Sequence, residues 1–341
     1  WSYMYYLWTG YLLFSCYVMI TQKFLIPDGI EYYTDKEALL FEKTKSSVFR
    51  IFNKYKYKFV ITPIIDSVNN LTNLNGDNLK NFTSSLNHKK DLGVRADITP
   101  QIVRLDFQSF KNNNPSKYSY MGDIYRDTLS PFDRNNPYQI GAEYFGTIKD
   151  SIDVELMKMC YEIISLSKRN RIIVELNDSY FIKKYLESLE ISKRNKKDLI
   201  DYISMKSKID IDNLFRELKL PKRKYDELSD LMAIDGPIGF TNKIKKFSDK
   251  YSYDCDKSLK SLRNISSKLK SLKNIELSID LCSSESMGYE SGFNYSFYVE
   301  NLRRPLAIGG RYEAYKHSDK TVRYATGFSM DLKDIINIYE K

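Results

Sequence analysis

The chain has 341 residues, 42% of them hydrophobic and 28% charged, which fits a soluble globular protein with one large domain or two of ordinary size. Two histidines and four scattered cysteines (Cys16, Cys160, Cys255, Cys282), with no C-x-x-C pair, argue against a His/Cys zinc site and a disulfide framework and suit a reducing cytoplasm. The net charge of +9 comes largely from a lysine-rich region over 183–273 where acids are interleaved with the bases, so it reads as a solvated helical face and not as a nucleic-acid surface.

Residues 3–20 are apolar, with Trp8, Leu12, Leu13, Phe14 and Val18, yet the run is short for a membrane span and no basic flank precedes it as in a signal peptide. Met19 is read as the native start, with 1–18 a non-native or disordered extension, and no membrane anchor is expected. Pro27-Asp28-Gly29 marks a turn, and Asp35 caps a helix over 35–55 whose stripe of Ala38, Leu39, Phe41, Val48, Ile51 and Phe52 should pack on a sheet. Phe59-Val60-Ile61 reads as a strand ending at Pro63, and the Asn-rich stretch 69–87 as a loop. A short strand over 94–98 leads into a helix over 99–110 with Pro100 in its first turn.

Strands over 118–125 and 138–146 form an antiparallel pair joined by the polar loop 127–137. A helix over 153–167 and a strand over 171–176 follow. Lysine-rich helical segments occupy 180–270, broken near Pro221 and at Gly236-Pro237. Strands over 275–281, 293–300, 306–308 and 324–330 complete the pattern.

The chemistry concentrates between Arg95 and Gly146, in R-A-D-I-T-P-Q-I-V-R, G-D-I-Y-R-D-T and Y-Q-I-G-A-E-Y-F-G. Singly, Asp97, Thr99, Arg126, Gln139 and Glu143 are ordinary solvated strand and turn residues. Together they could converge on a small zwitterion, with Asp97 taking an ammonium, Glu143 or Gln139 a polar side chain, and Arg126 an anion.

Their order and spacing resemble the catalytic domain of class II histidyl-tRNA synthetases. In that family an R-P-E-G-T-like strand is followed by a motif 2 arginine and a Q-x-G-x-E strand. The matching blocks here are Arg95 to Thr99, Arg126, and Gln139 to Glu143, with downstream counterparts in Gly288-Tyr289-Glu290-Ser291-Gly292, Gly309-Gly310-Arg311-Tyr312 and Ala325 to Met330. The resemblance spans roughly 27–332. The D-I-T-P-Q form of the first block and the early stop look most like the synthetases' non-catalytic paralogues, the regulatory subunits of ATP phosphoribosyltransferase.

The resemblance implies an α+β fold: a class II aminoacyl-tRNA synthetase-like antiparallel sheet of six or seven strands, flanked by helices and formed by 19–177 and 271–341, with a helical insertion subdomain at 178–270. It places the helix over 35–55 and the strand that follows in the dimer-forming motif 1. It implies an L-histidine site of Asp97 and Thr99 at the amino group, Gln139 bridging amino and carboxylate, and Glu143 with Tyr289 at the imidazole. Arg126 belongs to the same site, and Glu290 adds a carboxylate that favours protonated imidazole. Arg311 stands at the synthetase's ATP-binding arginine and is expected to serve in structural pairing, an interface or an anion site. No catalytic residue, metal or cofactor is expected.

Departures from the synthetase pattern fall on the nucleotide side. Adenylate formation needs cations around the ATP phosphates. The acid two residues beyond the motif 2 arginine is replaced by Thr128, the catalytic arginine of the family's R-G-L-D-Y-Y block aligns with Glu285, and the motif 3 arginine aligns with Asp334. The sequence ends at Lys341, just past the motif 3 equivalent, so no anticodon-binding domain is expected. The implied role is a cytoplasmic, non-enzymatic subunit of histidine biosynthesis. It would activate the short catalytic subunit, confer feedback inhibition by L-histidine, and dimerise within a hetero-octamer, with Arg126 and the 127–137 loop transmitting occupancy. A truncated or divergent synthetase activating an amino acid with ATP, and an RNA-binding module built on the insertion, are the other readings.

Overall fold

The computed structural model describes residues 26–72, 84–87, 92–110, 114–127, 133–167, 171–237, 239–283, 290–300, 302, 304–318 and 321–340. The expectations for 1–18, Thr128, Glu285 and Tyr289 lie outside these residues, and the Glu290 side chain is likewise not described.

Chain order begins with helix α1 (Asp35–Lys54), strands β1 (Lys58–Val60) and β2 (Ile65–Ser67), helix α2 (Val68–Thr72), strands β3 (Ser84–Asn87) and β4 (Leu92–Val94) and helix α3 (Thr99–Ser109). Strands β5 (Ser116–Asp123) and β6 (Tyr138–Phe145), helix α4 (Asp150–Ile164) and strand β7 (Ile172–Asp178) follow. Then come α5 (Tyr180–Glu187), α6 (Lys193–Ser204), α7 (Lys208–Glu217), α8 (Lys222–Met232), β8 (Asp235–Pro237), α9 (Phe240–Tyr251) and α10 (Asp256–Leu269). Strands β9 (Ile275–Asp280), β10 (Glu290–Val299), β11 (Ala307–Ser318) and β12 (Thr321–Asp331) and helix α11 (Leu332–Glu340) close the chain.

Nine strands form one sheet in the order β1-β5-β6-β12-β11-β10-β7-β9-β8. The six from β5 to β7 in that order run antiparallel and match the expected sheet. The sheet as a whole is mixed, because β1 joins β5, and β9 joins β7, in parallel. Both arrive by crossovers, through 61–115 and through the helices between β7 and β9, and a crossover is what a parallel pairing needs. A second, three-stranded sheet has the order β2-β4-β3. The stretch 69–87, expected to be loop, therefore contains most of α2 and all of β3, while 95–98 extends beyond β4 without being strand.

Core strands are buried on both faces; β6 is buried from Gln139 to Phe145. In α1 the covered side is Thr44, Val48 and Phe52, spaced four apart as one helical stripe requires. Leu39, expected on that stripe, is 70% exposed. Helix α10 buries Leu259, Leu262, Ile265 and Leu269 in the same apolar cluster as the sheet, and its Ser261 and Asn264 donate to Asp150 at the start of α4 (2.7 Å each).

Candidate functional site

The period of two along a strand puts Gln139, Gly141 and Glu143 on one face of β6. Tyr120 of β5 pairs with Gly141, and Gly327 of β12 pairs with Glu143. Above this face, 95–98 is an irregular turn, with Ile98 already in the right-handed helical region before Pro100 helps to start α3. Gln139 joins the two layers: its Oε1 accepts from the Ile98 amide (2.8 Å) and its Nε2 donates to Asp97 Oδ1 (2.7 Å). The Thr99 amide donates to the same Asp97 oxygen (3.0 Å).

Glu143 is buried, 3% exposed. Thr99 donates to its Oε1 (3.3 Å), the Tyr312 hydroxyl donates to its Oε2 (2.9 Å), and the Tyr120 hydroxyl is 3.1 Å from Thr99 Oγ1. Burial raises the Glu143 carboxyl to about 8; the charge of Asp97 adds to the rise, while the Tyr312 and Thr99 hydrogen bonds oppose it. Two glycines make room. A Cβ on Gly327 would overlap the Glu143 carboxylate, and one on Gly141 would overlap the Tyr120 hydroxyl.

The structure thus brings Asp97, Thr99, Gln139 and Glu143 together. Arg126 is beside them, its Nε donating to the Ala96 carbonyl (2.9 Å). The backbone of Glu290 pairs with Tyr312, next to the same face. Two hydroxyls that sequence reasoning did not select, Tyr120 and Tyr312, complete the polar wall. Tyr312 follows Arg311 in the G-G-R-Y block, and because strand neighbours face opposite ways it meets Glu143 while Arg311 faces Asp150 and Asp153. Tyr120 becomes evident only from its pairing with Gly141.

Arg311 turns to the other side of the sheet. It makes ion pairs with Asp150 (2.7 Å) and Asp153 (2.5 Å), and Thr326 donates to the second carboxylate oxygen of Asp153 (2.8 Å). Burial raises Asp153 despite Arg311, whereas hydrogen bonds from Ser261, Asn264 and Arg311 outweigh burial and lower Asp150. Arg311 serves here in structural pairing.

Asp334 is buried beside Asp331, which accepts from the Tyr138 amide at the entrance to β6 (3.0 Å). Arg134 makes ion pairs with Glu31 (2.8 Å), Asp331 and Asp334 (3.0 Å), and Arg304 binds Asp334 (2.8 Å) and Asp133 (3.1 Å). Asn135 donates to the Gly29 carbonyl (2.7 Å) and accepts from the Arg126 amide (2.9 Å). The 133–137 half of the expected loop is therefore tied to Gly29 and Glu31 and to the start of α11. Burial, reinforced by Asp331, raises Asp334 to about 6 against the pull of Arg134 and Arg304.

The arrangement can accept hydrogen bonds and positive charge from a small donor-rich ligand. Among the described residues no group of three or more His, Cys, Asp or Glu could hold a metal ion, and no helix is long and apolar enough to cross a membrane.

Residues 29–335 match the family model described as histidyl-tRNA synthetase. The ATP phosphoribosyltransferase regulatory subunit of Polynucleobacter necessarius is 27% identical over 322 residues, 93% of this chain and 82% of the relative. The protein of that name from Pseudomonas aeruginosa is 26% identical over 321 residues, 93% of this chain and 81% of the relative. Among solved structures, an ATP phosphoribosyltransferase regulatory subunit/histidyl-tRNA synthetase from Bacillus halodurans superposes with a TM-score of 0.78 at 18% identity, covering 93% of this chain and 83% of the other. A chain of the ATP phosphoribosyl transferase (HisG:HisZ) complex from Thermotoga maritima superposes with a TM-score of 0.63 at 19% identity, covering 85% and 96%.

Proposed function

This chain belongs to the histidyl-tRNA synthetase family, and from that premise we propose that it is a non-catalytic regulatory subunit of ATP phosphoribosyltransferase that binds L-histidine. Its relatives of 26–27% identity carry the regulatory-subunit name over nearly the whole chain. One observation carries the reading: an acid and hydroxyl pocket of Asp97, Gln139, Glu143 and Tyr312 persists, while Asp334 at the motif 3 arginine position is buried against this chain's own Arg134 and Arg304. On this reading the amino-acid side of a synthetase site is kept, and a carboxylate stands where triphosphate binding needs a cation.

In this reading the ligand ammonium meets Asp97 and Thr99, Gln139 spans amino and carboxylate groups, and the imidazole faces Glu143 with Tyr289 and Glu290. The subunit dimerises through the α1 and β1 face within a hetero-octamer, activates the short catalytic subunit in the cytoplasm, and lowers its activity when histidine binds. Inhibition requires tighter histidine binding to the less active arrangement, because equal affinity shifts nothing.

The test is isothermal titration with L-histidine, for the isolated chain and for its complex with the catalytic subunit. Saturable binding that Asp97→Ala and Glu143→Ala both abolish, with histidine inhibition of the complex lost in parallel, is the expected result. If Arg126→Ala leaves binding and inhibition unchanged, Arg126 has no part in transmission. Histidine-dependent pyrophosphate exchange with ATP would overturn the reading in favour of an amino-acid-activating enzyme, the alternative that the retained Arg126 favours.

A further inference from the structure

Arg95 begins the R-A-D-I-T block, two residues before Asp97 and four before Thr99, yet its side chain points away from the pocket and is 3% exposed. Its Nε donates to the Asp123 carbonyl (2.8 Å). Its Nη1 reaches the Thr62 carbonyl (2.9 Å), the Thr62 hydroxyl (2.6 Å), the Pro63 carbonyl (3.2 Å) and Gln101 Oε1 (3.3 Å). Among the described residues each of these partners is a neutral oxygen. Burial pulls the guanidinium pKa down, and the charges of Asp123 and Asp97 are among those opposing it.

A buried cation without a hydrogen-bonded carboxylate is costly unless its donors are satisfied. Here the acceptors come from three places: the segment after β1, the end of β5, and the first turn of α3. The backbone adds to the knot, with the Arg95 amide donating to the Ile64 carbonyl (3.0 Å) and the Tyr125 amide donating to the Arg95 carbonyl (3.0 Å). Gly122 admits the group, since a Cβ there would overlap Nη2 of Arg95.

We propose that Arg95 is a positioning residue of the amino-acid pocket, tying the 95–99 turn to β1 and β5 so that Asp97 and Thr99 meet Gln139 and Glu143. The inference rests on the reading of that pocket as an L-histidine site. The Ala96 carbonyl that holds Arg126 lies in the same turn, so the fork sets the ammonium-binding acid and the cationic side of the pocket at once. A lysine keeps the charge but replaces a planar fork of five donors with a compact ammonium, and it leaves part of the oxygen set unpaired.

The experiment compares the full chain with Arg95→Lys and Gly122→Ala, reading site-resolved amide hydrogen exchange and L-histidine titration. Both variants are expected to speed exchange at the Ile98 and Thr99 amides, which Gln139 and Asp97 hold, while interior amides of β6 and β12 keep their rates. Both should weaken L-histidine by about tenfold or more, as loss of a supporting outer partner does at other preorganised sites. Gly122→Ala retains Arg95 and every charge, so it carries the test if Arg95→Lys does not fold. Exchange at Ile98 and Thr99 that stays at the wild-type rate in both variants, or that rises equally throughout the sheet, overturns the proposal. If the wild type takes up no histidine while the variants loosen only this turn, the pocket reading fails and the positioning role stands.

Discussion

The Tyr312 hydroxyl donates to Glu143 Oε2 at 2.9 Å although the two residues sit on strands separated by β12. The bare Cα of Gly327, paired with Glu143 in the intervening strand, makes the reach possible. Three strands and the first turn of α3 thus place one buried acid against hydroxyl donors, Tyr312 on one oxygen and Thr99 on the other. In its ionised form that combination recognises a hydrogen-bond donor or a cation better than an anion.

Glu143 makes stability fall with rising pH. Its carboxyl titrates at about 8 in the folded chain against an ordinary 4.5, so between these values the native state holds a proton that the unfolded chain has released. Stability from this group is full below about 4.5 and is lost as pH rises through 8, by about 1.4 kcal/mol per unit. Glu143→Gln removes the titration. Thermal unfolding from pH 5 to 9 should therefore show the variant gaining on the wild type as pH rises. A constant difference across that range would mean that Glu143 is ionised in the native state.

Gly327→Ala should close the pocket with little effect on the sheet's outer strands. The added methyl overlaps the Glu143 carboxylate and approaches the Ala142 carbonyl, displacing the acid from Tyr312 and Thr99. Overpacking of this kind costs about 1–3 kcal/mol. L-histidine titration should show binding lost, with circular dichroism still reporting the native sheet. Wild-type affinity in this variant would exclude Glu143 from the ligand contacts.

The pocket was legible in the sequence through the resemblance of its blocks, in order and spacing, to the histidyl-tRNA synthetase pattern; alternation along β6 then puts Gln139 and Glu143 on one face. Structural pairing was expected of Arg311, but its partners Asp150 and Asp153 were not legible, because they lie about 160 residues earlier and only the packed sheet brings them near. The parallel pairings of β1 and β9 were hidden for a similar reason, since period-two patterning marks a strand without marking its neighbour. Between 69 and 87, asparagine content suggested a loop where pairing with β4 makes β3 a strand. Local composition was outweighed by a partner.

Arg134 holds three acids from two distant segments, and its removal should be among the most damaging changes outside the pocket. Its side chain is 8% exposed and faces Glu31, Asp331 and Asp334. Arg134→Gln removes the cation shared by the buried Asp331 and Asp334 and leaves Arg304 on Asp334 alone, at a cost of about 3–5 kcal/mol. Asp334 already titrates at about 6, and losing Arg134 raises it further, so the native state of the variant holds protons that the unfolded chain releases. The deficit should widen from pH 5 to 8 in denaturant unfolding. A deficit that shrinks over that range would show that the acids are held chiefly by Arg304 and Lys333.

The α1 and β1 face should govern self-association. Strand β1 lies at the edge of the nine-stranded sheet, and beside it a cleft of about 570 Å³ is lined by Phe49, Phe59, Ile61 and Met121. Ile61 is 82% exposed, so Ile61→Asp places its charge in water and should leave monomer stability within about 0.5 kcal/mol of wild type. In a symmetric dimer the substitution occurs twice, and each buried isoleucine contributes about 1.5–3 kcal/mol, so the dimer dissociation constant should rise at least about 100-fold. Sedimentation equilibrium reads this directly: a dimeric wild type and a monomeric Ile61→Asp place the interface on this face, whereas a dimer that persists unchanged in the variant places it elsewhere.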